Sequence, residues 1–296
     1  MKILKRIYFS IKSIYLLILK KQVDYLDYQD EYDRVASTYH RWLEKMHKFT
    51  DEIIHLEFFE NKPSASILDF ACGTGYIAEQ LLNNLSNPEI KITAVDISEK
   101  MIEEAKKRIL DPRCSFVAQD GLEFLLYEID NYYDAILCGY ALPYFNKKEV
   151  IPHLTRILKN GGTLHLILNC RGTLEGINEI YMSTMKDHPG ALKKFMDIRS
   201  QLPKDEESFQ KQIENYGFET LEVNTINETM NFSTPEDLYL WLKQTGAIAG
   251  TGKIFTESEF IEKRLIDNIR ESLYYEGKYF VNHKFIQGIF KKQERS

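Results

Sequence analysis

The chain has 296 residues, 44% of them apolar and 28% charged: enough hydrophobic material to bury one well-developed core, and too much for a disordered chain. A net charge of −6 argues against a large basic footprint for nucleic acid. The average hides an asymmetry, because residues 1 to 21 carry Lys2, Lys5, Arg6, Lys12, Lys20 and Lys21 and no acid, so the rest of the chain stands at −12, six charges below the whole.

In the opening segment MKILKRIYFSIKSIYLLILKK the uninterrupted apolar run extends only from Ile14 to Leu19. Two lysines follow where a cleavage site needs small residues, so the segment predicts neither export nor a membrane span, and a cytoplasmic protein is expected. On a helical wheel its basic residues share one side, and Ile3, Leu4, Ile7, Ile11, Ile14 and Ile18 share the other. Such a helix either lies on an anionic membrane as a peripheral contact or packs as a substrate lid or homodimer helix. Packing is the preferred expectation, since lids are amphipathic too. Residues 22 to 62 are helical in pattern, with Thr50 and Asp51 as N-caps for EIIHLEFFE.

From Ser66 short apolar runs alternate with helical ones: ILDFA, GYIAEQLLNNL, IKITAVD, ISEKMIEEAKKRI, SFVAQD, GLEFLLYEI, YDAILCG, KKEVIPHLTRILK and GTLHLILN. Five strand and helix alternations predict an α/β fold, a parallel sheet with helices on both faces. Gly161 and Gly162 are expected to cap the fourth of these helices, with the fifth strand following at once. Residues 171 to 215 and 233 to 275 read as mostly helical insertions suited to a cap, and FETLEVN and KYFVNHKFIQGIFKK as two late strands. The expected divisions are a basic helix (1 to 21), lid helices (22 to 62), a cofactor core (63 to 170), a helical cap (171 to 215) and a completion of the sheet (216 to 296). Cys72, Cys114, Cys138 and Cys170 form no CxxC pair and no zinc spacing, so free thiols and no metal are expected.

The strongest chemical signal is Ile67-Leu68-Asp69-Phe70-Ala71-Cys72-Gly73-Thr74-Gly75, a strand entering a glycine loop and then a helix. Gly73 and Gly75 lack Cβ atoms, so the backbone can approach a ligand at the carboxyl end of the sheet. The stretch Gly73 to Ala78 also fits the GxGxxA form of a nicotinamide-nucleotide loop. Asp69 separates the two readings. A carboxylate just before the glycines opposes a pyrophosphate on the helix N-terminus, whereas it helps a ligand whose amino acid end carries an ammonium group. Asp96, ending ITAVD, suits both ribose hydroxyls of either nucleotide, and Asp120, after SFVAQ, suits the exocyclic amine of adenine. Helix capping is the alternative for any one of the three acids.

The series DFACGTG, AVDIS, QDGLEF, and YDAILCGYALPYF followed by LTRILKNGGTLHL resembles the motif series of class I S-adenosylmethionine-dependent methyltransferases over about residues 30 to 170. The resemblance implies a Rossmann-like sheet of five parallel strands plus two late strands, one antiparallel, with a helical cap and N-terminal lid helices. It further implies S-adenosyl-L-methionine as cofactor and S-adenosyl-L-homocysteine as product. Asp69, Gly73 and Gly75 would hold the methionine end, Asp96 and Ile97 the ribose, Met101 the adenosine face, and Asp120 and Gly121 the adenine, with Ala71 also binding the cofactor. Cys138 would lie beside the sulfonium through its backbone, not as a nucleophile. The segment Tyr32 to Trp42 resembles the family's N-terminal helix, which puts Tyr39 over the cofactor; the rival is a buried stripe of Tyr32, Val35, Ala36 and Tyr39.

The stretch FSTPEDLYLWLKQTGAIAG resembles carboxylate methyltransferases, notably the malonyl-carrier-protein O-methyltransferases of biotin synthesis. A small-molecule or carrier-bound acid is the implied substrate, methylated on oxygen as a carboxylate or a hydroxyl. A carboxylate needs only a cationic clamp, for which Arg171 is the candidate. A hydroxyl or amine needs a base, with His40, Tyr140 and Tyr144 as candidates. Trp42, Tyr140, Tyr144 and Trp241 are candidate aromatic walls, against simple packing. The alternatives are N- or C-methylation of a small natural product, an NADP-dependent oxidoreductase, disfavoured by the lack of a Tyr-x-x-x-Lys pair after the fourth strand, and a cofactor-binding protein that does not methylate.

Overall fold

A computed structural model describes residues 2–60, 62–196 and 202–294. Its helices are α1 (Lys2–Ile18), α2 (Tyr25–Val35), α3 (His40–Asp51), α4 (Tyr76–Asn84), α5 (Glu99–Arg108), α6 (Gly121–Tyr127), α7 (Lys147–Ile157), α8 (Glu175–Asp187), α9 (Glu206–Glu214), α10 (Pro235–Thr245) and α11 (Glu259–Ser272). Its strands are β1 (Ala65–Phe70), β2 (Ile90–Asp96), β3 (Cys114–Ala118), β4 (Tyr133–Gly139), β5 (Leu158–Asn169), β6 (Phe218–Phe232), β7 (Tyr274–Tyr275) and β8 (Lys278–Lys292). The chain divides into two compact units. The first comprises Trp42–Arg171, Gln201–Ile226 and Phe285–Ser296, and the second Met1–Arg41, Gly172–Ser200 and Asn227–Lys284.

The strand order is β3-β2-β1-β4-β5-β8-β6, with the short β7 paired to β8. Strands β1 to β5 run parallel, in register from Ala65 with Ile90 to Phe70 with Val95 between β1 and β2. Apart from Ser66, every residue of β1 is buried, as expected of a parallel strand covered by helices on both faces. In the first unit β8 lies antiparallel to β5, from Thr163 opposite Lys291 to Asn169 opposite Phe285. The core of this unit gathers Leu68, Phe70, Ile136, Leu164, Leu166, Phe209, Phe218, Ile286 and Phe290. The parallel sheet expected from the strand and helix alternation is present, as is the Rossmann-like arrangement that the resemblance implies, and the late strand FETLEVN continues through residue 232.

Two local expectations are overturned. Thr50 and Asp51 do not start a helix; they close α3, where the Thr50 hydroxyl donates back to the Met46 carbonyl at 3.5 Å. The chain beyond them is irregular apart from a short 3-10 turn, Leu56–Phe58, because Ile53 and Phe59 must both reach the core. Nor do Gly161 and Gly162 cap α7, which already ends at Ile157, with extended backbone at Leu158. They sit inside β5, at an irregularity where its pairing with β4 shifts between Tyr133 and Ala135. Gly161 has φ +73°, and a Cβ on Gly162 would stand 2.9 Å from the Lys159 carbonyl oxygen, so the bulge needs both glycines.

In the second unit α1 packs against α8 and the 3-10 turn Pro189–Ala191 that follows it, while α11 packs on α8 and α10. The packed side of α1 is not its isoleucine stripe. Leu16 and Ser13 are buried, whereas Ile3, Ile11 and Ile18 are 74%, 59% and 74% exposed. Among the described residues no helix is long and apolar enough to cross a membrane.

Candidate functional site

The site is built at the carboxyl ends of β1, β2 and β4 in the first unit. Beyond Phe70 the chain turns through Ala71 (φ +58°), Gly73 (φ +54°) and Gly75 (φ +77°) into α4. Gly75 is required twice over, by its left-handed backbone and because a Cβ would lie 3.0 Å from Ile109 Cδ1. A positive φ at alanine costs of order 1 kcal/mol, the kind of strain that collects where backbone must present itself to a ligand.

Asp69 lies beneath this loop and is wholly buried. Its Oδ2 accepts the Ala78 amide of the first turn of α4 at 3.1 Å. Its Oδ1 is buried and has no hydrogen-bond partner among the described residues. Burial pushes its pKa up to about 7, opposed by the Ala78 hydrogen bond and reinforced by the charge of Asp96. An orphaned carboxylate oxygen under a glycine loop is a ready acceptor for a cationic ligand group.

Asp96, ending β2, ties the loop to the sheet. Its Oδ2 accepts the Gly73 amide at 2.8 Å and its Oδ1 accepts the Ser98 amide at 2.9 Å. Each carboxylate oxygen can take a second donor, so both backbone bonds are compatible with a diol. Ser98 caps α5 through Met101, which is buried, and Ile97 beside it is partly exposed. Asp120 caps α6 by accepting the Glu123 amide at 2.9 Å, so the capping alternative holds for this residue. Gly121 admits two rings: a Cβ there would come within 2.8 Å of Phe70 and 3.0 Å of Phe145. Burial pushes the Cys138 thiol up to about 12, which leaves it protonated at neutral pH.

Beyond β4, Tyr140 has φ +62°, and its amide donates to the Ile167 carbonyl at 2.6 Å. Its ring meets Trp42 edge to face at 5.1 Å and Phe285 at 6.0 Å. Tyr144 closes the 3-10 turn that follows and is half-buried. Strained backbone at the ends of neighbouring strands β1 and β4, at Ala71 and Tyr140, brackets one site.

Residues 67–162 match the family model described as a methyltransferase domain. Over 150 residues the chain is 31% identical to the malonyl-[acyl-carrier protein] O-methyltransferase of Priestia megaterium, a match that covers 49% of this chain and 52% of that protein. The phosphoethanolamine N-methyltransferase 2 of Haemonchus contortus, solved with S-adenosyl-L-methionine, superposes with a TM-score of 0.54 at 18% identity, over 88% of this chain and 57% of that one. The chain carries the class I methyltransferase fold. The [4+2]-cyclase SpnF shares it, with a TM-score of 0.53 at 17% identity over 86% of this chain and 83% of that one. The chain spans about half the length of the Priestia megaterium relative.

Trp42, Asp69, Ala71, Gly73, Gly75, Asp96, Ile97, Met101, Asp120, Gly121, Cys138, Tyr140 and Tyr144 all belong to the first unit. Arg171, also in this unit, follows β5; it is exposed and its amide donates to the Pro203 carbonyl at 3.0 Å. Tyr39, His40 and Trp241 belong to the second unit. There Tyr39 meets Tyr32 edge to face at 6.4 Å, His40 is exposed with Nδ1 3.2 Å from the Ser37 carbonyl oxygen, and Trp241 is buried with its indole N–H donating to the Arg41 carbonyl at 3.3 Å.

Sequence reasoning missed Phe285, whose ring backs Tyr140, although the alternation of KYFVNHKFIQGIFKK put it on one face of a strand. It also missed a cavity of about 620 Å³ in the second unit, lined among others by Glu31, Arg34, Tyr181, Tyr239 and Lys253. Burial raises the Glu31 carboxyl, which accepts the Gly250 amide at 2.7 Å and so holds the loop after α10.

Proposed function

We propose that the chain is an S-adenosylmethionine-dependent methyltransferase that methylates an oxygen of a carrier-bound carboxylic acid. The observation that carries this reading is the buried Asp69 carboxylate, with Oδ1 unsatisfied beneath the Gly73 and Gly75 loop. The residues fit the cofactor: Asp69 offers an acceptor to its ammonium, Asp96 to its ribose hydroxyls, and Ile97 and Met101 supply apolar contact. Asp120, although it caps α6, keeps a second carboxylate oxygen for the adenine amine, and the backbone at Cys138 would hold the methionine end near its sulfur. When bound, the cofactor would supply an electrophilic methyl carbon on a sulfonium, whose S–C bond breaks as the acceptor oxygen bonds to that carbon, leaving S-adenosylhomocysteine as the neutral thioether.

The protein's own task is then to position the acceptor and exclude water. A carboxylate is already ionised at neutral pH, so no base is required. The ring cluster of Trp42, Tyr140 and Phe285 offers a dry wall, and Arg171 is the cation we assign to clamp the acid. A carrier-bound acid is supported by the name of the Priestia megaterium relative. A hydroxyl acceptor would instead draw on Tyr140 or Tyr144 as base.

Calorimetric titration of the full chain with S-adenosylhomocysteine and, separately, with NADPH tests the cofactor. Binding of the first, weakened at least tenfold by Asp96→Ala, is expected; binding of NADPH alone would overturn the reading. For the acceptor, malonyl-loaded carrier protein should turn over, and Arg171→Ala should raise its KM with little change in kcat. An unchanged KM removes Arg171 from the clamp.

A further inference from the structure

Helix α1 packs on the second unit by its narrow side. Phe9, Ser13 and Leu16, three to four residues apart, form one stripe, with Ser13 and Leu16 buried and Phe9 half-buried. The opposite stripe, Ile3, Leu4, Ile7, Ile11, Ile14 and Ile18, is exposed along the whole helix, about 26 Å at 1.5 Å per residue. Tyr8 and Tyr15 are exposed along one border of that stripe, and Lys12 reaches over the Tyr15 ring at 5.7 Å. Lys5 and Lys12 flank the stripe on one side and Arg6 on the other, with no carboxylate anywhere in the helix. The surface continues beyond α1. Phe260 of α11 is 57% exposed and edge-on to His188 at 5.1 Å, and Lys5 and Arg264 both act on that same imidazole to hold its proton affinity down, after burial.

A monomeric protein seldom exposes so large a contiguous apolar face without a use for it. The chemistry around the stripe selects the occupant. A second copy would set the same lysines and arginine against their equivalents, like charge against like charge. A convex row of isoleucines offers a folded protein no pocket for an anchoring side chain. Apolar side chains along the middle, tyrosines at the border and cations beyond them match the layers of a lipid interface.

We propose that α1, extended by Phe260 and Arg264, is a docking face for an anionic lipid surface. The isoleucine stripe enters the boundary between headgroups and acyl chains, and Lys5, Arg6, Lys12 and Arg264 meet the lipid phosphates. The proposal is independent of the cofactor reading, since none of these residues belongs to the site described above.

The test is co-sedimentation of the full chain with vesicles of phosphatidylglycerol and phosphatidylcholine in equal parts, and with phosphatidylcholine alone. Binding is expected on the anionic vesicles only, lowered about fivefold for each of Lys5→Gln and Arg6→Gln and at least about tenfold by Ile7→Glu with Ile14→Glu. All four positions are exposed or half-buried, so the variants should keep the parent Tm, which reports that folding is unaffected. Equal pelleting on both vesicles, or a double glutamate variant that still pellets, overturns the proposal. So does failure to bind vesicles combined with a dimer that the same variant dissociates, or with saturable binding to an acidic acyl carrier protein; these outcomes assign the stripe to a second copy or to a protein.

Discussion

Lowering the pH from 8 to 6 should weaken the binding of S-adenosylhomocysteine about tenfold through Asp69 alone. With the ligand-free carboxyl titrating at about 7, roughly nine-tenths of it is ionised at pH 8 and one-tenth at pH 6, and only the ionised form pairs with the ligand ammonium. Titration calorimetry at half-unit intervals supplies the curve. Methylthioadenosine is the internal control: it keeps the nucleoside, lacks the amino acid end, and should bind equally well across the range. Asp69→Asn should flatten the curve and, at pH 8, cost the charge-assisted part of the contact, about 1.5–3 kcal/mol or roughly 10- to 150-fold. An affinity for S-adenosylhomocysteine that stays level from pH 6 to 8, or a slope shared by methylthioadenosine, would refute the placing of the ammonium on Asp69.

The same carboxyl has an opposite effect on the ligand-free fold. Its folded pKa is raised, so its contribution is most favourable at low pH and is lost as the pH rises through about 7; Asp69→Asn should therefore raise the Tm of ligand-free protein at pH 8 by at least about 2 °C while impairing binding. His165 runs the other way: burial holds it down to about 4, so between pH 6.5 and 4 the unfolded chain takes up a proton that the native state refuses. His165→Gln should shrink the acid loss of Tm over that interval, and an unchanged slope would exonerate His165. Gly121→Ala should cost about 1–3 kcal/mol in chemical denaturation, because its Cβ meets Phe70 and Phe145; a neutral result would mean that the two rings can yield. Cys138→Ala should retain turnover within about threefold, since a thiol at about 12 supplies no nucleophile; a total loss would contradict that.

The cofactor half of the fold was legible because its signals are local. Asp96 closes a short apolar run, Asp69 stands one residue before the end of another, and Gly73 and Gly75 stand where a strand must turn into a helix, so their places in the fold could be read from spacing. Tyr140 was found as a residue, but its left-handed backbone was not, because no side-chain pattern announces positive φ at a tyrosine. Gly161 and Gly162 were misread for a related reason: a glycine pair caps a helix or bulges a strand equally well, and the choice was made by Leu158, which had to be buried in β5. The wheel of α1 showed its isoleucine stripe but not the packed stripe of Ser13 and Leu16 opposite, with basic residues on both flanks, since that depends on what α8 and the turn after it present.

The seam between β5 and β8 bears on how the molecule is made. Leu164, Leu166 and Leu168 are wholly buried on a strand whose neighbour, residues 285 to 291, is supplied by a distant part of the chain. Until residues 285 to 291 are made, that strand has no backbone partner on this side, an open edge of unpaired N–H and C=O groups. Closure of the first unit is thus delayed by long-range order rather than by local structure, and the interval before Phe285 emerges is the period in which a nascent chain of this sequence is most exposed to chaperones and to misassembly.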